Sequence, residues 1–244
     1  MKRALAVTWF AMRALYDELF LMGAMGFIWF LVALALPYGV FYLVSLTGIT
    51  WLTIVAVAIA LIPLPPITGA IYSVAIHTAR EERIEFGYLW TGFKAHFWQS
   101  WKVGLIALLG IGILVVDVFF YLGSENIAFR VIGFVVLWAI LFWALIQIYL
   151  MPLSFIQEDP RLRTMLKNAS LLTLAFPLYG ITILVVAALA TALSVLLLVF
   201  LLATAWMPFI AILTCRATIS SVREVETIQK SQAEIQEEMK TSEE

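Results

Sequence analysis

Between Leu19 and Ala79 the chain carries no Asp, Glu, Lys or Arg. A helix needs about 20 mostly apolar residues to cross the hydrocarbon of a bilayer. The stretch is too long for one crossing and suits two, with the reversal expected at Ser45-Leu46-Thr47-Gly48 and helices over about 19–44 and 50–78. A chain of 244 residues, 64% of them hydrophobic and 13% charged, lies outside the soluble globular class, which runs at about 45–50% apolar and about 25% charged. The expected class is therefore all-α, a polytopic membrane bundle.

A third apolar run begins at Val103 and passes Asp117 and Phe119-Phe120-Tyr121 before the turn Gly123-Ser124-Glu125-Asn126. Val131–Gln157 is charge-free and gives a fourth helix. Asn168–Cys215 is uncharged and long enough for two more, with their reversal expected near Ala188–Thr191. Six crossings make three hairpins.

Lys and Arg gather on one side of those crossings. Lys2, Arg3 and Arg13 precede the first helix, and Arg80, Arg83, Lys94 and Lys102 lie between the second and third. Arg161, Arg163 and Lys167 lie between the fourth and fifth, and Arg216, Arg223, Lys230 and Lys240 follow the sixth. Of the 15 basic residues only Arg130 falls on the opposite side. Such asymmetry marks the cytoplasmic side, so both termini are expected there. Met1-Lys2-Arg3 imitates the start of a signal peptide, but Arg13, Asp17 and Glu18 interrupt the apolar run that cleavage needs, and the segment is expected to persist.

The division that follows is an amphipathic interfacial helix over 1–18, a six-helix domain over 19–221 and a polar cytoplasmic tail over 222–244. Each hairpin opens on a basic lead-in. The first places Leu5, Trp9, Met12, Tyr16 and Leu19 at helical spacing. The second, Tyr88–Trp101, places Phe93, Phe97 and Trp101 beside Lys94 and His96, and the third runs from Pro160 to Asn168. Apolar stripes flanked by Lys and Arg suit helices lying at headgroup depth. The Glu-, Lys- and Gln-rich tail is expected to be a partly helical, fraying segment, with Val222, Val225, Ile228, Ile235 and Met239 as a weak stripe able to dock a partner.

Few residues suggest chemistry. Pro63, Pro65 and Pro66 should break the second helix, since each lacks an N–H and crowds the carbonyl four residues earlier. Carbonyls freed near Ile59, Leu61 and Ile62 would need partners, for which Thr68 and Ser73 are candidates. Broken helices line solute sites in transporters, and a packing kink is the simpler alternative. Asp117 is the one acid inside an apolar run, with Arg130 across the turn as its expected counter-ion. Gln147 reads as an interhelical hydrogen-bonding residue. Gly69 with Ser73, Ala187 with Thr191, and Gly104, Gly110 and Gly112 permit close helix approach.

His77 and His96 lack metal-ligand spacing, and no hydrolase, phosphate-loop or dinucleotide motif occurs, so no cofactor is expected. Glu81-Glu82 and Glu158-Asp159 sit among basic residues as a solvated face. Cys215 is the single cysteine, which excludes an internal disulfide. No basic stripe outside the membrane-flanking segments points to nucleic acid. Arg80, Arg83, Lys94, Arg161 and Arg163, all expected on the cytoplasmic side, are the candidate partner surface.

Three stretches resemble the YesL-type family of bacterial membrane proteins. They are Thr8-Trp9-Phe10 through Leu15-Tyr16-Asp17, Pro65-Pro66-Ile67-Thr68-Gly69-Ala70-Ile71-Tyr72, and Trp90-Thr91-Gly92-Phe93-Lys94 followed by Phe97. Two features depart from that family: a longer interval from Trp29 to Pro66, and Gly26 where many relatives carry Asn. The resemblance implies a bacterial cell membrane and an accessory role beside a carbohydrate uptake system, and it supplies no catalytic residues. The expected function is thus an accessory or assembly subunit of a solute uptake complex. The alternative is a small transporter or channel with its site at the Pro63–Pro66 break. A membrane enzyme ranks last, because no polar residues converge at spacing that chemistry requires.

Overall fold

The computed structural model describes residues 2–85, 87–157, 161–197 and 202–243, and among them every regular element is helical. Among the described residues six stretches are long and apolar enough to cross a membrane: Leu19–Ser45, Thr50–Ala79, Phe97–Leu122, Ile127–Ile156, Pro177–Leu196 and Thr204–Met239. The chain is a multi-pass helical membrane protein.

Helix α1 (Lys2–Asp17) precedes the first span. That span comprises α2 (Leu19–Phe30), a π-helical turn at Leu31–Ala35 and α3 (Leu36–Ser45). The second comprises α4 (Thr50–Ala60) and α5 (Leu64–Ala79). Then follow α6 (Gly87–Ala95), α7 (Phe97–Leu122), α8 (Ile127–Ile156), α9 (Leu162–Ala175) and α10 (Pro177–Leu197). A second π-turn at Leu202–Trp206 leads into α11 (Met207–Glu243).

Each hairpin does open on a short helix: α1, α6 and α9 precede the first, third and fifth spans. The second lead-in is shorter than its aromatic spacing predicts. It ends at Ala95, and Phe97 and Trp101 belong to the spanning helix α7. Pro160, at the expected start of the third, and the Glu158-Asp159 pair lie outside the described residues.

Two hairpin turns fall where turn chemistry puts them. Gly48 has φ +70, the left-handed conformation that a residue without Cβ adopts freely. Asn126 caps α8 by accepting from the Ala128 N–H at 2.9 Å. The third reversal is not at Ala188–Thr191, because α10 runs unbroken through those residues to Leu197. Ala, Leu and Thr at that place offer no turn signal, and nothing prevents the helix from continuing.

Both π-turns stand just ahead of a proline, at Pro37 and Pro208. Pro208 has no N–H to give to the carbonyl of Thr204 four residues earlier, and a wider turn accommodates the loss. The Thr204 carbonyl projects onto α2 at Gly26, where an added Cβ would overlap it. Trp29 and Trp206 meet one turn further on, with ring centroids 5.3 Å apart.

Packing is lopsided. The fully buried side chains Met22, Met25, Ile71, Tyr149, Leu153, Met165, Ile212 and Leu213 all come from helix portions near the lysine- and arginine-bearing connections, here called the basic end. Toward the opposite end, Phe41, Trp51, Ile113, Phe119, Phe134 and Leu193 are exposed. An apolar surface there suits hydrocarbon, which solvates Leu and Phe as well as a protein interior does. Helices α5 and α11 run through the densest part, and α7 faces outward along most of its length.

The tail differs from expectation. It is helical throughout and not in part, since residues 222–243 continue α11 as one helix. Helix propagation costs little once a nucleus exists, and the spanning portion supplies that nucleus to a run of good helix formers.

Candidate functional site

The proline break lies at Leu61–Pro63, between α4 and α5, as the sequence predicts. Pro65 and Pro66 stand in the first turn of α5, where a missing N–H costs no helical bond. Of the three carbonyls expected to be freed, two are taken locally: Ile62 N–H donates to Ile59 and Leu64 to Leu61, each at 3.1 Å, as Ile67 does to Pro63, while the Ile62 carbonyl faces Pro66, which has no N–H to give. Neither Thr68 nor Ser73 donates to any of them. Thr68 Oγ1 accepts from Trp29 Nε1 at 2.9 Å, and Ser73 lies against Gly92.

Pro65, Gly69 and Ser73 recur every four residues along α5 and meet a complementary file. A Cβ at Gly104 would come 3.1 Å from Pro65, and one at Gly92 would come 2.6 Å from the Ser73 Cβ. Between these contacts Gly69 admits Ser100, whose hydroxyl is buried without a hydrogen-bond partner. Small residues on both sides bring α5, α6 and α7 together. The expected close approach is present at Gly69, Gly104 and Gly110, which meets Trp143, while Gly112 faces open space. Thr191 serves by another route, accepting from Trp206 Nε1 at 2.9 Å.

Asp117 is half-buried on α7, and Arg130 is not its counter-ion. Arg130 Nε donates instead to the Ser124 carbonyl at 2.8 Å, closing the α7–α8 turn. Gln147 Nε2 is buried on α8 without a hydrogen-bond partner, so the expected interhelical bond from that atom is not made.

Most polar organisation sits at the basic end, around two arginines that the sequence offers only as charges to count. Arg3 on α1 pairs with Glu224 and donates to Ser220 Oγ at 2.7 Å and Ser221 Oγ at 3.3 Å, all on α11. Its guanidinium also stacks on Tyr179 of α10, 4.4 Å from the ring centroid. Arg216 on α11 gives Nη1 to the Ala79 carbonyl at 2.6 Å and Nη2 to Glu81 at 2.9 Å, and lies 4.1 Å over the Phe10 ring. It thereby binds the C-terminus of α5 and the side of α1 to α11. Spacing held no cue for either role, because each partner is more than 100 positions away in the chain.

Helix α5 ends on a Schellman pattern. Glu82 N–H donates to His77 and Glu81 takes φ +66, the left-handed position usually given to Gly. His77 Nδ1 lies 2.5 Å from Glu82 Oε2, and its ring stacks on Tyr88 at 4.8 Å. His96, the residue before α7, lies 4.4 Å from the Phe155 ring, and burial holds its imidazole below the ordinary histidine value.

The candidate partner residues Arg80, Arg83, Lys94, Arg161 and Arg163 are all exposed. Lys94 lies 4.7 Å over the Trp90 ring, held by its cation–π contact. Beyond them α11 projects from the bundle, exposed from Glu226 to Met239. A groove of about 480 Å³ runs between α1 and α11, and another of about 630 Å³ between α8, α9 and α11. No group of His, Cys, Asp and Glu that could hold a metal ion occurs among the described residues.

A family described as protein of unknown function, DUF624, matches residues 44–118. YesL-type proteins belong to that family, and the match takes in the Pro65–Tyr72 and Trp90–Phe97 stretches that carry the resemblance. The Thr8–Asp17 stretch lies outside the matched residues. No curated protein and no solved structure matches the chain.

Proposed function

We propose that this protein is a non-enzymatic accessory or assembly subunit in a bacterial cell membrane, with both termini cytoplasmic, that associates with a solute uptake complex. A carbohydrate importer is the favoured partner, on the strength of the family resemblance. The carrying observation is the projecting part of α11. It extends past the packed bundle with Ile228, Ile235 and Met239 about half exposed. A lone helix in water gains nothing from such a stripe, whereas a helix that lays it into a partner's groove does. The basic residues on the same end supply the polar rim that partner interfaces use.

The transporter alternative loses its main support at the proline break. Two of the three carbonyls expected to be free there, those of Ile59 and Leu61, are bonded within the turn, and the small-residue file closes that side of α5 against α6 and α7.

Copurification in mild detergent, followed by mass spectrometry of the bound proteins, tests the accessory reading. Ile228→Lys with Ile235→Lys, or charge reversal at Arg80, Arg83, Lys94, Arg161 and Arg163, is expected to release the partner. Pro63→Ala, Pro65→Ala and Pro66→Leu together should change folded yield alone. Solute movement by the purified protein in liposomes, stopped by the proline replacements without unfolding, would replace this reading with transport.

A further inference from the structure

We propose that the groove between α1 and α11 binds the phosphate of an anionic phospholipid. Arg3, Arg13, Arg216 and Arg223 line it together with Trp9 and Phe10, and no carboxylate does. Its volume of about 480 Å³ lies within the range of small-ligand sites.

The four guanidiniums are not equally committed. Arg3 is engaged by Glu224, Ser220 and Ser221, and Arg216 by Ala79 and Glu81. Both are thereby fixed in place, with donors left over on a group that carries five. Arg223 has no ion pair among the described residues, and Arg13 has only a loose exposed one, to Asp17 at 3.6 Å. Two fixed and two available guanidiniums around one groove form a preorganised anion cradle, and their planar forks match phosphate oxygens.

The apolar rim selects a lipid over a free anion. Trp9 lines the groove and is 68% exposed, on the outward stripe of α1 that also carries Leu5, Met12 and Tyr16. The opposite face of α1, with Ala4, Val7 and Ala11, is buried in the bundle. A phosphate among the arginines would therefore place its glycerol and acyl chains along a surface already apolar, with Trp9 at the depth indole rings favour. A soluble phosphate has no use for that surface. The inference does not depend on the accessory reading.

The test uses the full-length protein in mild detergent and reads bound lipid by native mass spectrometry, with dioctanoyl phosphatidylglycerol, dioctanoyl phosphatidylcholine and inorganic phosphate as separate probes. Arg13→Gln with Arg223→Gln removes the two exposed arginines and leaves the structural pair intact. It should weaken phosphatidylglycerol binding about tenfold or more, given the usual contribution of each basic residue to anionic lipid binding. Lys167→Gln with Lys230→Gln removes equal charge at exposed positions outside the groove and should leave binding within about twofold of the parent protein. Equal loss in both pairs would reduce the effect to general surface charge and overturn the site. Competition by inorganic phosphate at concentrations comparable to the lipid would overturn the lipid assignment, as would phosphatidylcholine binding equal to that of phosphatidylglycerol.

Discussion

Gly26 shows how one atom governs a helix crossing. Its missing Cβ is what lets α2 approach the Thr204 carbonyl, and Gly23, one turn earlier, has no atom within 4 Å of its own missing Cβ. Gly26→Ala should destabilise the protein by about 2 kcal/mol, since backbone yields less readily than a side chain. Gly23→Ala should be neutral or stabilise by up to about 1 kcal/mol through better helix propensity. Thermal unfolding in detergent distinguishes them, and equal effects would contradict the crossing. His96 gives a second residue-scale expectation. Its burial favours the neutral ring in the folded state, and the α7 N-terminus beside it also disfavours a cation. The unfolded chain then binds the proton more tightly, so stability falls as pH drops below the ordinary histidine value of 6.5. His96→Gln should flatten that slope in unfolding midpoints measured from pH about 7.5 down to about 5.5. An unchanged slope would assign the pH dependence elsewhere. Neither residue's environment was legible in the sequence, because both depend on what another helix brings to them.

At the scale of elements, local chemistry was legible wherever a residue type dictates backbone geometry. The prolines placed the α4–α5 break, and Gly48 and Asn126 marked two turns. The α10–α11 reversal was misplaced because charge-free apolar sequence holds no signal that separates a turn from more helix. Partners for Thr68 and Arg130 were also misassigned. Proximity in sequence suggested one partner, and packing supplied Trp29 and the Ser124 carbonyl instead. The end of α5 permits a direct test. Glu81 holds a left-handed conformation and an ion pair to Arg216 that is largely exposed on its own side. Both Glu81→Ala and Glu81→Gly lose the pair, but only glycine relieves the backbone. The glycine variant should be the more stable of the two by about 1 kcal/mol. Equal unfolding midpoints would mean that the backbone strain at this position is negligible.

For the whole molecule, the distribution of Lys and Arg and the lengths of apolar runs were enough to give six spans, and they also anticipate orientation. The basic end holds both the dense core and the polar ties of Arg3 and Arg216, so the end that bears nearly all the Lys and Arg is also the one most firmly joined. Orientation can be read with cysteines. Cys215 is buried, so its replacement by Ala leaves a background with no native thiol to label. Single cysteines at Tyr88, Leu162 and Ile235 should react from the cytoplasmic side, and those at Thr47 and Asn126 from outside. Thr47 and Asn126 lie in the turns that join α3 to α4 and α7 to α8, and each turn is separated from the basic end by one full span. The expected pattern follows from moving charge: of the basic residues only Arg130 falls opposite the basic end, and the reverse orientation would carry all the others across the bilayer. A membrane-impermeant maleimide applied to intact cells, then to inverted vesicles, reads all five positions. Labelling of Tyr88→Cys or Leu162→Cys in intact cells would reverse the orientation. It would also remove the cytoplasmic setting on which the proposed contact between α11 and an uptake complex depends.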